Sequence, residues 1–154
     1  MTSEVRGEKL AQNSKTTLEM KNDLEQCDDL DIYLRENRDN FCPLGVKEFL
    51  ECYLSEKGLK KSTVIRQSGL NQIYAYQIFS GVRRAERDKL LCIAIAAEMT
   101  MEEANQLLTC GGKPSLYPRV VRDSVIGYAL NHHYTVDQTD DLLYDHDCKT
   151  LLDE

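Results

Sequence analysis

Gly58-Leu59-Lys60-Lys61-Ser62-Thr63-Val64-Ile65-Arg66-Gln67-Ser68-Gly69-Leu70-Asn71-Gln72-Ile73-Tyr74-Ala75-Tyr76-Gln77-Ile78-Phe79-Ser80-Gly81 is the stretch on which the fold turns. Gly58 is the residue type that stops a helix, and Ser62 is a good N-cap for the next one. The spacing predicts a short helix over 63–67 with Val64 and Ile65 facing inward. Ser68-Gly69 then makes a turn. Asn71 is placed to cap a further helix to about Phe79, where Ala75 and Ile78 are apolar at a three-residue step, and Ser80-Gly81 closes it.

Outward from this centre the pattern stays helical. Residues 44–57 carry Val46, Phe49, Leu50, Tyr53 and Leu54 on one side of a helix that Gly58 ends. Residues 85–98 are almost continuously apolar from Leu90 to Ala97, which predicts a helix buried on all sides. Thr100-x-x-Glu103 is a capping box opening a fifth helix, because the threonine and the glutamate satisfy each other's backbone N–H. Upstream, Leu18, Leu24, Cys27, Leu30, Ile32 and Leu34 form an irregular apolar pattern in an acidic helix former. A helix is predicted within 17–37, ended by Asn37-Arg38-Asp39-Asn40 and Pro43. Residues 1–16 are polar and aperiodic and are expected to be a disordered tail.

Past Gly111-Gly112 the chain resembles itself. Arg87, Asp88, Ala94, Thr100, Leu107 and Leu108 reappear 35 positions on as Arg122, Asp123, Ala129, Thr135, Leu142 and Leu143. Such a period points to duplication of a helical pair, although two amphipathic hairpins can also look alike without it. Either origin predicts helices over 119–132 and 135–145 packed on the first pair, with Pro114 and Pro118 flanking an extended connector. The expected organisation is a tail (1–16), an N-terminal helix and linker (17–43), a central domain (44–112) and a C-terminal helical pair (113–154).

Composition narrows the function classes. Hydrophobic residues make up 42 % and charged residues 29 % of 154, as in soluble globular domains. No apolar run approaches the ~20 residues of a bilayer span. Met1 to Glu8 have neither a basic start nor an apolar stretch, so the cytoplasm is the expected location. Cys27, Cys42, Cys52, Cys92, Cys110 and Cys148 are scattered and never in a C-x-x-C pair, the pattern of reduced thiols. Cys148 with His132, His133 and His146 matches no standard zinc spacing, and no metal or other cofactor is expected. Motifs for phosphate loops, zinc hydrolases or nucleophile elbows are missing, so catalysis is not expected.

The net charge of −7 divides unevenly. Residues 1–43 carry −4, residues 44–92 carry +4 and residues 93–154 carry −7. The one basic segment therefore coincides with the two short helices and their turn. A helix-turn-helix works when one helix crosses the phosphate backbone and props the next into the major groove, with small or apolar residues where the two touch. Val64, Ile65, Gly69, Leu70, Ala75 and Ile78 fill the inward places, while Asn71, Gln72, Ile73, Tyr76 and Gln77 point elsewhere.

From Gly58 to Gly81, and on through Arg83-Arg84-x-x-Arg87-Asp88-Lys89-Leu90-Leu91 to Met99-Thr100-x-Glu102-Glu103-Ala104-x-x-Leu107-Leu108, the chain resembles the Cro- and Xre-type (lambda-repressor-like) helix-turn-helix family. The likeness covers 44–108. It implies an all-α fold: a five-helix phage-repressor-like domain, here extended by a second helical pair and an N-terminal helix. It also implies a bacterial or phage transcriptional regulator that binds double-stranded DNA as a homodimer, with the recognition helix at 71–79. By the same likeness Lys60, Lys61 and Ser62 face phosphates, Asn71, Gln72, Ile73 and Tyr76 face the groove, and Arg83 and Arg84 contact the backbone. The chain departs from the family at Lys61, where glutamine is frequent, at Phe79, where an acid is frequent, and at bulky Ile73 and Tyr76. Those departures leave open a second reading: a helical module that uses Ile73, Tyr76, Phe79 and the acidic C-terminal pair to bind a signalling protein.

Overall fold

In the computed structural model, which describes residues 15–41 and 45–152, regular structure is entirely helical, with no strand among the described residues. The helices are α1 (Thr17–Gln26), α2 (Leu30–Glu36), α3 (Val46–Lys57), α4 (Lys61–Ser68), α5 (Gln72–Ser80), α6 (Arg87–Ala96), α7 (Met101–Cys110), α8 (Val121–Asn131) and α9 (Val136–Asp145). A 3-10 turn, Arg38–Asn40, follows α2. The expected tail lies outside the described residues except for Lys15 and Thr16, and so do Cys42, Pro43 and Leu44.

Local chemistry explains most boundaries. The Asn71 side chain accepts the Tyr74 N–H at 3.1 Å and so starts α5 as expected. Gly69, at φ 75°, ends α4 in the left-handed region that residues with a Cβ disfavour. A Cβ on Gly69 would also lie 2.9 Å from Leu152 Cδ1, so the turn and the C-terminal end of the chain meet there. Thr100 and Glu103 form the expected capping box on α7.

Four expectations need correction. The single helix sought in 17–37 is two, because Asp29 accepts the N–H groups of Asp31 and Ile32 and restarts the chain as α2. Ser62 is not an N-cap. The capping position of α4 is Lys60, whose side chain makes no capping bond, and Ser62 is already the second helical residue. The helix expected over 119–132 runs Val121–Asn131. Phe79 is 3 % exposed, so it belongs to the core and to no binding surface.

α6 is the centre. Leu90, Leu91, Cys92, Ile93, Ala94 and Ile95 are all buried, because α4, α7 and α9 pack around it. Burying one such aliphatic side chain is worth roughly 1.5–3 kcal/mol, so this helix is held by burial on every side rather than by an amphipathic stripe. α3 lies on α5 and α7, contributing Phe49, Leu50 and Tyr53, whose hydroxyl donates to the Ala97 carbonyl at 2.9 Å. Burial pushes the Tyr53 hydroxyl well above the usual phenol range, with Glu103 and Glu98 adding to it.

The 35-residue period is a symmetry of the fold. Arg87 Nη1 and Nη2 donate to both oxygens of Asp123 at 3.0 and 2.9 Å, and Arg122 Nη1 and Nη2 donate to both oxygens of Asp88 at 3.0 and 3.1 Å. An operation that carries residue 87 to 122 and also 123 to 88 is its own inverse, a twofold rotation. The α6–α7 and α8–α9 pairs are therefore joined head to head, α7 against α8 and α9 against α6. Smaller features obey the same relation. Arg87 Nε and Arg122 Nε donate to the carbonyls of Pro114 and Lys149. Asn105 and Asp140 accept the N–H groups of Leu116 and Leu151 at 2.8 and 2.6 Å. Glu98 and His133 both have positive φ, 57° and 54°, and Thr135 repeats the capping box with Gln138. The repeat reaches Leu116 and Leu151, well past the last pair of leucines that announced it. At Gly127, where a Cβ would come within 3.1 Å of Met101 Sδ, a missing side chain lets α7 settle on α8.

Candidate nucleic-acid interface

α4 and α5 pack on each other across the turn at Gly69. Their inward faces, Val64, Ile65 and Ser68 on α4 and Ala75, Ile78 and Phe79 on α5, are buried. That burial decides what is left outside. At the start of α4, Lys60, Lys61 and Ser62 are exposed, and the first N–H groups of the helix have no side-chain cap. Free N–H groups beside two ammonium groups suit an anionic oxygen. On α5, Gln72, Ile73 and Tyr76 share one side at steps of three and four residues, and Ile73 is 71 % exposed.

The remaining candidates divide. Asn71 uses its side-chain oxygen in the cap, leaving its amide N–H groups outward. Gln77 is half-buried and accepts the Arg83 Nε–H at 2.8 Å, so it orients that arginine. The Arg83 guanidinium also lies over the Tyr74 ring, 5.3 Å from its centroid, and Tyr74 packs against the core behind it. Arg83 is thus held, whereas Arg84 beside it is exposed and makes no side-chain bond among the described residues. Among the described residues none of Lys60, Lys61, Arg66, Arg83 and Arg84 is paired with a carboxylate.

Folding adds two cations. Lys47 from the first turn of α3 and Lys113 from the connector line a cleft of about 540 Å³ with Arg83, Arg84 and one carboxylate, Glu48, around Gly45, Gly81 and Gly111. Neither lysine stands out in the sequence. Lys113 even falls in the segment of net −7, and only the return of α7 to the start of α3 brings it to the basic side.

Elsewhere, Cys27, Cys52, Cys92, Cys110 and Cys148 are thiols without a disulfide. Among the described residues no group of three or more His, Cys, Asp or Glu side chains is placed to hold a metal ion. No described helix is long and apolar enough to cross a membrane. Compared with known proteins, the chain matches no family model, no curated protein and no solved structure.

Proposed function

We propose that the chain is a sequence-specific DNA-binding transcriptional regulator in which α4 and α5 act as a phage-repressor-like helix-turn-helix. The observation that carries this reading is the exposed side of α5 formed by Gln72, Ile73 and Tyr76, in a segment whose cations Lys60, Lys61, Arg83 and Arg84 are in no ion pair among the described residues. Gln72 offers an acceptor for the adenine N6–H and a donor for its N7, the pair that adenine exposes in the major groove. Ile73 and Tyr76 offer apolar contact to thymine methyl groups. Lys60, Lys61 and Arg84 neutralise phosphates, and Arg83, held by Gln77 and Tyr74, supplies a positioned contact. One such helix reads too few base pairs for an operator, so the regulator acts as a homodimer on two half-sites.

The test is selection of bound genomic fragments at moderate salt, followed by titration of the selected site. Gln72→Ala is expected to relax specificity at one base pair, at a cost of about 1–3 kcal/mol. Lys61→Ala is expected to weaken all sequences alike and to lower the slope of log affinity against log salt by about 0.9. A wild-type chain without salt-sensitive binding, or a triple variant Lys61→Ala, Gln72→Ala, Arg84→Ala that binds as well, sinks the reading.

A further inference from the structure

We infer that the cleft between the start of α3 and the loop after α5 is a binding site for a small molecule carrying two or more phosphate groups. Its volume of about 540 Å³ lies in the range of small-molecule pockets. Lys47, Arg83, Arg84 and Lys113 converge on it from three separate parts of the chain, and one carboxylate, Glu48, stands among them. None of the four cations is in an ion pair among the described residues, so the lining is left with a surplus of three positive charges. A recess lined mainly by one sign of charge focuses its field and draws in a counter-ion.

Two of the cations are positioned by their own neighbours. Gln77 accepts the Arg83 Nε–H at 2.8 Å, which leaves the terminal guanidinium nitrogens for another acceptor, and the group rests over the Tyr74 ring. The stem of Lys47 lies along Gly81, where a Cβ would stand 3.4 Å from Lys47 Cδ and 3.5 Å from Lys47 Cβ. Cations held in this way lose little side-chain freedom on binding, and their hydrogen bonds to phosphate are of the strong, charge-assisted kind.

Shape favours a small anion over a duplex. Lys47, Arg83 and Arg84 are exposed, whereas Lys113 and Gly111 are half-buried, so the cleft runs inward from a rim of three cations. A duplex lies across such a rim. A short run of phosphates on a small molecule enters it and meets the rim and the inner lysine together.

The inference shares Arg83 and Arg84 with the DNA reading but does not rest on it, and Lys47 and Lys113 tell the two apart. The probe is inorganic tripolyphosphate, titrated into the full chain by calorimetry at constant ionic strength, with orthophosphate and a duplex DNA as further arms. Tripolyphosphate is expected to bind about tenfold tighter than orthophosphate, because each further phosphate meets a further cation. Lys47→Met, which keeps the stem on Gly81, and Lys113→Gln are each expected to weaken tripolyphosphate about fivefold while melting like wild type. Glu48→Gln, which removes the opposing charge, is expected to tighten it. Lys21→Gln, the same loss of charge on α1, is expected to change nothing. Tripolyphosphate bound no better than orthophosphate, no weakening by either lysine variant, equal weakening by Lys21→Gln, or no gain in Glu48→Gln overturns the inference. So does a loss confined to duplex DNA in Lys47→Met and Lys113→Gln, which would make the cleft part of a DNA-backbone grip. Tripolyphosphate binding by a chain that binds no duplex upholds the cleft and sinks only the DNA reading.

Discussion

Arg87 and Asp123 meet through two hydrogen bonds, 3.0 and 2.9 Å, across the boundary between the two helical pairs, and Arg122 and Asp88 repeat the contact in the opposite sense. The two contacts differ in depth. Asp123 retains 7 % of its side-chain exposure and also accepts the Tyr117 N–H, while Asp88 and Arg122 retain 23 % and 22 %. Arg87 further binds the carbonyls of Pro114 and Ser115.

Arg87→Ala strands a buried carboxylate and is expected to cost about 2–4 kcal/mol, toward the range for breaking a buried pair from one side. Arg122→Ala, at the more exposed twin, is expected to cost about 1 kcal/mol. Urea unfolding of both variants measures the difference. Equal costs would show that depth does not distinguish the twins.

Asp123 sets an acid limit. Burial alone pushes its carboxyl up, but the hydrogen bonds from Arg87 and the Tyr117 N–H, with the charges of Arg87 and Arg122, outweigh burial and hold it below the usual carboxylate range. A carboxyl held lower in the folded state stabilises at pH above its unfolded value of about 3.9 and loses that stabilisation as pH falls through the folded value. Stability is therefore expected to drop as pH falls below about 4, and Asp123→Asn is expected to flatten that part of the profile. An unchanged acid slope in Asp123→Asn contradicts the assignment.

Thr100 and Thr135 cap equivalent helices with the same bonds, so Thr100→Ala and Thr135→Ala are each expected to cost about 1 kcal/mol. Just before each cap stands a residue with a Cβ in the left-handed region, Glu98 and His133. His133→Gly is expected to be neutral or to stabilise by a few tenths of a kcal/mol, because it relieves that backbone. Thermal melts of the three variants check the set; a His133→Gly chain destabilised by more than about 1 kcal/mol would point to a contact of the imidazole instead.

Cys92 lies wholly inside α6, and burial, with Asp140 adding to it, pushes its thiol up to about 12. Thiolate is the reactive form, so Cys92 is expected to resist a disulfide reagent at pH 8 until the chain is unfolded in urea. Mass mapping of labelled peptides reads this directly, and rapid native labelling of Cys92 would mean that the centre opens.

Features that depend on neighbours three or four residues away were legible before folding was considered: the Asn71 cap, the Thr100–Glu103 box, the turn at Gly69 and the buried run of α6. The break at Asp29 was missed because apolar residues continue across it, and Ser62 was misplaced because lysine at a cap leaves no chemical mark. Phe79, offered to a protein partner in the second reading because the chain departs from the family there, is buried instead, on the helix that packs against α3.

Of the basic face, the sequence by itself determined Lys60, Lys61, Arg83 and Arg84, since they flank the turn that any reading of this stretch finds. Only the tertiary structure added Lys47 and Lys113, and only it separated Gln77 and Arg83, bound to each other, from Arg84, left outward. The period of 35 residues was likewise written in the chain, but not what it means in space. Periodicity in sequence records which residues are equivalent; that Arg87 reaches Asp123 while Arg122 reaches Asp88 depends on how two helical pairs bury their apolar faces against each other, and that contact chose a closed twofold pair over an open stack.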